Sequence, residues 1–188
     1  MQINVSNTSL ADVESLRECI DIVSRETNFL ASPVAASEQE LARDLVASAQ
    51  RNSIHVVAKD AQRVVAWAQI ERGKGLSVEH RGDLGMGVLP QYRGRGLGKR
   101  LLTDCIAAAN SRGIDRIELE VRSDNRRALS LYCSLGFAVE SIVKRAMRID
   151  GVDHDAFRMC LISTPQLPGA MGIHPHAHRL PMAEHGQD

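Results

Sequence analysis

Gln91 to Gly98 reads QYRGRGLG and carries the densest chemistry in the chain. Gly94, Gly96 and Gly98 alternate, so the backbone there can come close to a ligand, and an apolar-periodic stretch beginning at Leu97 opens a helix. The first N–H groups of a helix have no partner within it and point at whatever lies before it. Arg93, Arg95, Lys99 and Arg100 add positive charge around the same point. Directed donors in a cationic field suit a pyrophosphate. Two common phosphate motifs fail on spacing. The dinucleotide pattern GxGxxG, counted from Gly94 and Gly96, meets Lys99 where its third glycine belongs. A P-loop would need glycine in place of Arg93 and Ser or Thr in place of Arg100.

The elements that must position this loop follow from periodicity. Ile3 and Val5 suggest a short opening strand, and Leu10, Val13, Leu16, Ile20 and Val23 trace a helical stripe that begins near Ser9. Ser37 and Glu40 have the spacing of a capping box, which announces a second helix with Leu41, Leu45 and Val46 on its apolar side. Apolar runs at Ile54–Ala58 and Val64–Ile70 read as an antiparallel pair, and Asp83–Leu89 as a third strand stopped by Pro90. The helix from Leu97 ends at Gly113, and Arg116–Arg122 alternates, with Ile117, Leu119 and Val121 on one side and charges on the other. A helix over Asn125–Leu135 and two last strands around the Asp150-Gly151 turn complete the order β-α-α-β-β-β-α-β-α-β-β. Such an order predicts a mixed sheet covered by helices, with a parallel crossover around the Leu97 helix.

The pattern Arg93-x-x-Gly96-x-Gly98 resembles the pyrophosphate loop of the GCN5-related N-acetyltransferase (GNAT) superfamily. RIELEV at Arg116–Val121, Asn125, ALSLYCSLGF at Ala128–Phe137 and the strand FRMCLI resemble that family's following elements in order and distance, over roughly Val56 to Ile162. The resemblance implies an α/β domain with a mixed, mostly antiparallel central sheet, splayed at its middle parallel pair and with helices on both faces. It also implies acetyl-CoA as co-substrate, an amine acceptor and no metal. The cofactor would lie where the strands near Leu89 and Arg116 part, held by Met86, Gly87, Val88, Leu89 and the loop residues Arg93, Gly94, Arg95, Gly96, Leu97, Gly98 and Lys99. Gly85 and Gly87 would then permit a bulge and close approach of the ligand. Gly96→Glu or Gly98→Glu is expected to abolish cofactor binding.

Acetyl transfer to an amine needs a neutral amine, a polarised thioester carbonyl and a proton for the leaving thiolate. By the resemblance, Tyr132 faces the sulfur as general acid, and backbone N–H near Gly87 or Val88 meets the developing oxyanion. Asn125 matches the asparagine that bonds the pantetheine arm; it also suits a helix cap. For the general base, Glu26, Glu71, His80 and Asp83 are the candidates. Trp67 suits a core position or a wall of the acceptor site. The chain resembles the small bacterial members of the superfamily, among which free amino acids, polyamines and ribosomal proteins all serve as acceptors.

Composition bounds the alternatives. With 23 basic and 23 acidic residues among 188, no global field draws the chain to nucleic acid or an anionic membrane, and only 3% of residues are aromatic. No apolar run approaches a membrane span and the start MQINVSNTS is polar, which predicts a cytoplasmic protein with no membrane partner. Cys19, Cys105, Cys133 and Cys160 form no CxxC pair and read as reduced packing residues. Residues 1–163 read as one domain, and 164–188, with His174, His176, His178 and His185, as a disordered tail rather than a metal site. A homodimer is expected from the superfamily. The remaining alternatives are a non-catalytic acyl-CoA sensor and a nucleotide-binding protein of another class.

Overall fold

The computed structural model describes residues 3–27, 29 and 35–163, so the tail at 164–188 lies outside the described residues. Its elements in chain order are β1 (Ile3–Asn7), α1 (Val13–Thr27), α2 (Glu38–Gln50), β2 (Ile54–Asp60), β3 (Arg63–Arg72), β4 (Arg81–Val88), α3 (Leu97–Ser111), β5 (Arg116–Arg122), α4 (Arg126–Ser134), β6 (Ala138–Ile149) and β7 (Val152–Ile162). Local chemistry sets several boundaries. Ser37 Oγ accepts from the Glu40 N–H while the Glu40 carboxylate accepts from the Ser37 N–H, so the expected capping box starts α2. Asp150 and Gly151 both have positive φ, 49° and 79°, which gives the two-residue turn that joins β6 to β7.

One seven-stranded sheet runs β1-β2-β3-β4-β5-β7-β6, and every neighbouring pair is antiparallel except β4 and β5. The crossover between that pair is α3, as the sequence predicts. α3 covers the sheet face that carries Met86 and Val88, whose side chains lie 3.3 and 3.7 Å from a Cβ placed on Gly98. α2 covers the opposite face, where its Ser48 bonds Glu71, and α1 packs beside it. The core between these layers includes Ile54, Val57, Val65, Ile70, Leu89, Leu101, Leu102 and Ile117, all without exposed surface.

The parallel contact is short. Only Arg81, Gly82 and Asp83 pair with Arg116, Ile117 and Glu118; beyond Asp83, β4 follows β3 as far as Val88 while β5 follows β7 as far as Arg122. The sheet therefore opens in its middle, between Leu84–Val88 and Leu119–Arg122.

β4 itself keeps a continuous register with β3, and the register shifts fall at Ala58/Lys59 in β2 and twice in β6. The bulge expected at Gly85 and Gly87 is thus absent. Gly87 has another cause: a Cβ there would meet the Trp67 ring at 2.0 Å, so Trp67, 6% exposed, is a core side chain laid across the strand. Of the four cysteines, Cys19, Cys105 and Cys160 are buried as expected, whereas Cys133 is exposed on α4. Burial pushes the Cys19 and Cys105 thiols up to about 12, so both are poor nucleophiles.

A polar cluster fastens α2 to the sheet. Glu71 on β3 accepts from Ser48 at 2.7 Å and Arg51 at 3.2 Å and shares a 2.5 Å bond with His55. Burial alone would raise its pKa, but the bonds from His55 and Ser48 bring it down to about 2. A depressed folded-state pKa gives stability that is present above the ordinary glutamate range and lost as pH falls towards 2. Urea melts of the wild type and Glu71→Gln should accordingly differ most near neutral pH and converge only at about pH 2. A gap that widens on acidification would contradict this assignment.

Candidate active site

The opening between β4 and β5 is bounded at one end by the glycine loop. Gly94 and Gly96 have φ of 75° and 77°, the left-handed conformation that favours glycine, and Gly96 is the residue from which α3 starts. No side chain caps that start, and the first intrahelical bond is from the Arg100 N–H to Gly96 O. The N–H groups of Leu97, Gly98 and Lys99 are consequently free to meet an anion. Arg95 and Lys99 are exposed beside them, and Arg127, on α4, places Nη2 3.5 Å from a Cβ built on Gly94. Arg93 instead turns back, its Nε donating to Val88 O at 2.8 Å, which fastens the loop to the end of β4. The local sequence dictates this arrangement: Pro90 ends the strand, and only glycine adopts the two positive φ angles without strain.

A Cβ on Gly96 meets nothing within 4 Å, whereas one on Gly98 lies 3.3 Å from Met86 Cε and 3.4 Å from Leu131 Cδ2. Gly96→Glu therefore tests charge without a packing clash, while Gly98→Glu confounds the two. Because a side chain on Gly96 has open space to turn into, Gly96→Glu should weaken CoA binding rather than abolish it, by about tenfold beyond Gly96→Ala, which isolates the left-handed strain. Isothermal titration checks this, and equal affinities of the two variants would rule out an anion at this loop.

Hydrogen-bond parity decides which backbone groups of β4 face the opening. The Leu89 N–H donates to Val65 O at 2.9 Å, so Leu89 and, by alternation along an antiparallel ladder, Gly87 and Gly85 turn their groups towards β3. Met86 and Val88 turn theirs towards the opening. Of the four residues at the end of β4 and just after it that were expected to hold the cofactor, Met86 and Val88 offer free N–H groups, while those of Gly87 and Leu89 are turned to β3.

Tyr132 sits on α4 beside Leu131 and is 9% exposed, its ring tilted against Phe137 at 5.8 Å. Its hydroxyl makes no hydrogen bond among the described residues, and burial pushes its pKa up to about 12, so it is protonated at working pH. Asn125 caps α4: its side-chain oxygen accepts from the Ala128 N–H at 3.2 Å, which leaves its amide N–H₂ to donate elsewhere.

On the opposite face of the sheet, where the parallel pairing ends, lies a 350 Å³ cleft lined by Arg81, Asp83, Leu84, Glu118, Leu119, Glu120 and Arg158. Glu118 accepts two 2.8 Å bonds from Arg81 and a third from Arg116, and Glu120 accepts from Arg158. The Asp83 carboxyl has neither a hydrogen bond nor a salt bridge among the described residues, and burial, followed by the Glu118 charge, pushes its pKa up. Glu118 and Glu120 were not among the candidate bases, although the alternation in RIELEV already put both on one side of β5.

The other base candidates fall elsewhere. His80 is exposed at the closed end of the strand pair, where its carbonyl accepts from the Asp115 and Arg116 N–H groups. Glu71 is committed to His55, Ser48 and Arg51. Glu26 lies in the last turn of α1, and its side chain is outside the described residues. Among the described residues no group of His, Cys, Asp and Glu could hold a metal, and no helix is long and apolar enough to cross a membrane.

The model of the Acetyltransferase (GNAT) family matches residues 17–137. The N-alpha-acetyltransferase RimI of Mycobacterium tuberculosis is 36% identical over 122 residues, which cover 64% of this chain and 70% of that protein. The crystal structure of a GNAT acetyltransferase from Streptococcus pneumoniae superposes with a TM-score of 0.81 at 27% identity, covering 86% of this chain and 99% of the other. The Salmonella typhimurium protein yncA, solved with its cofactor acetyl-CoA, gives the same TM-score at 18% identity over 94% of this chain and 99% of its own. A splayed parallel pair, an uncapped helix start behind a left-handed glycine and a family match over most of the chain agree: this protein belongs to the GNAT family of acetyltransferases, acyl-CoA-dependent acyltransferases.

Proposed function

We propose that the chain acetylates the α-amino group of a polypeptide N-terminus, with acetyl-CoA as donor, by direct attack within a ternary complex. The observation that carries the acceptor class is the charge of the cleft. Three carboxylates, Asp83, Glu118 and Glu120, line it against two guanidiniums, Arg81 and Arg158, and both guanidiniums are already bound to carboxylates. The net negative charge attracts an ammonium, and among the described lining residues no uncommitted cation waits for the carboxylate that a free amino acid would bring. An α-amine on a peptide satisfies both conditions. The name of the M. tuberculosis relative, an N-alpha-acetyltransferase, supports the same class.

The donor fits the opposite face of the opening. The free N–H groups of Leu97, Gly98 and Lys99, with Arg95, Lys99 and Arg127, would hold its pyrophosphate, and the edge of β4 at Val88 its amide arm. It supplies an activated thioester. Asp83, unpaired and of raised pKa, takes a proton from the ammonium and hands it on to water, which frees the amine to attack, and then takes the proton that the attacking nitrogen loses as the C–N bond forms. The Met86 N–H, nearer Asp83 along β4, donates to the carbonyl oxygen as charge develops there, a contact worth about 3 kcal/mol for donors of this kind. Tyr132 donates to the leaving sulfur. The free edge strand β6 exposes Val139 and Ile142, which supports a homodimer through that edge.

An acceptor panel tests the acceptor class. Thiol release from acetyl-CoA is followed with an alanine-initiated peptide, the same peptide with a blocked N-terminus but a free lysine, and free alanine. The first should be turned over at least about tenfold faster than the others, a difference of about 1.4 kcal/mol. Preference for free alanine would transfer the acceptor to the amino acids.

A further inference from the structure

We infer that Glu118 is a positioning residue for the transfer: fixed at the last rung of the parallel ladder, it sets both where β4 and β5 part and the charge beside which Asp83 works. This rests on the reading of Asp83 as general base. Glu118 is the parallel partner of Asp83, so their side chains leave the same face of the sheet from adjacent strands, about 5 Å apart at the backbone. It is 8% exposed and its carboxylate is saturated. Arg81, from β4, bonds both oxygens at 2.8 Å, and Arg116, from β5, bonds one at 2.6 Å and reaches on to Glu140 of β6 at 2.6 Å. The chain Arg81–Glu118–Arg116–Glu140 thus ties three strands together one step before the opening starts.

The two carboxyls of the pair are pushed apart. The bonds from Arg81, with those from Arg116, hold Glu118 below the usual glutamate range, while burial and the charge of Glu118 raise Asp83. Neighbouring carboxyls whose environments separate their titrations divide the work: one stays ionised as a fixed charge and the other exchanges a proton. The charges that face Asp83 are otherwise Arg81 on its own strand, Glu71 across on β3, Glu120 beyond Glu118 on β5, and Arg158 on β7. α1, which packs on β3 and β4, buries Leu16, Cys19, Val23 and Ser24. Glu71 on β3 and Glu118 on β5 both flank Asp83 in the sheet and both stay charged, and of the two Glu118 raises Asp83 more.

The test is a carbon-13 NMR titration of the Asp83 carboxyl in the wild type and in Glu118→Gln, with the acid limb of kcat/KM measured on the same samples. Wild-type Asp83 should titrate above about 3.9, and Glu118→Gln should lower the midpoint and the acid limb together by about one pH unit. Glu118→Asp, which keeps the charge, should recover the wild-type midpoint. Equal midpoints in the wild type and Glu118→Gln overturn the inference. If Glu118→Gln does not fold, a wild-type midpoint at or below about 3.9 overturns it alone. An Asp83→Asn variant with wild-type kcat/KM removes the general-base reading, and Glu118 then positions nothing in the chemistry.

Discussion

Tyr132→Phe should lower kcat by about 10²- to 10⁴-fold while the affinity for acetyl-CoA changes little. The prediction follows from where α4 is held. Asn125 caps the helix, and Leu131 reaches within 3.4 Å of a Cβ on Gly98 at the start of α3, so Tyr132 is carried to the region where α3, α4 and the end of β4 converge. Its ring is buried against Phe137, yet its hydroxyl has no partner among the described residues. The phenol, pushed up to about 12 by burial, stays protonated, and on the proposed mechanism it would donate as charge develops on the leaving sulfur. Phe keeps the ring packing, so folding should be unaffected. Full turnover in a folded Phe variant would leave the leaving group without an acid from this helix.

Asp83→Asn should reduce kcat/KM by a comparable factor, about 10²- to 10⁴-fold, and should flatten the acid limb of the pH profile. An amine acceptor arrives largely as ammonium, and Asn cannot take its proton. The two other carboxylates of the cleft are poor substitutes, because Glu118 is saturated by Arg81 and Arg116 and Glu120 is held by Arg158 at 2.5 Å. Glu120→Gln is the informative comparison. If Glu120→Gln loses more activity than Asp83→Asn, the base lies on β5, and Arg158 is then the residue that orients it.

Much of this was legible from local sequence, and the reasons the rest was not are physical. The loop at Arg93–Gly98 declares itself because positive φ and an uncapped helix start leave marks on neighbouring residues. The Ser37 box and the Asp150-Gly151 turn do so for the same reason. The cause of Gly87 was hidden, because it depends on a tryptophan twenty positions away that only the β3 register brings across it. Which β4 amides are free depends on the parity of a ladder, a property of two strands together. The Ser48–His55–Glu71 cluster joins α2, β2 and β3, and its members give no sign in sequence that they meet. RIELEV showed two carboxylates on one side of a strand; that this side forms the floor of a cleft required the neighbours Asp83 and Arg158.

The central claim is that the opening between β4 and β5 takes acetyl-CoA, and thermal melts with saturating acetyl-CoA, CoA, ATP or NAD in separate samples test it most directly. A ligand at 100 times its Kd stabilises by about 2.7 kcal/mol. For a chain of this size that amounts to a rise of about 5 to 11 °C in Tm. The structure predicts that rise with acetyl-CoA and CoA and none with the nucleotides. A rise with ATP or NAD alone, or no response to either CoA species, would contradict it.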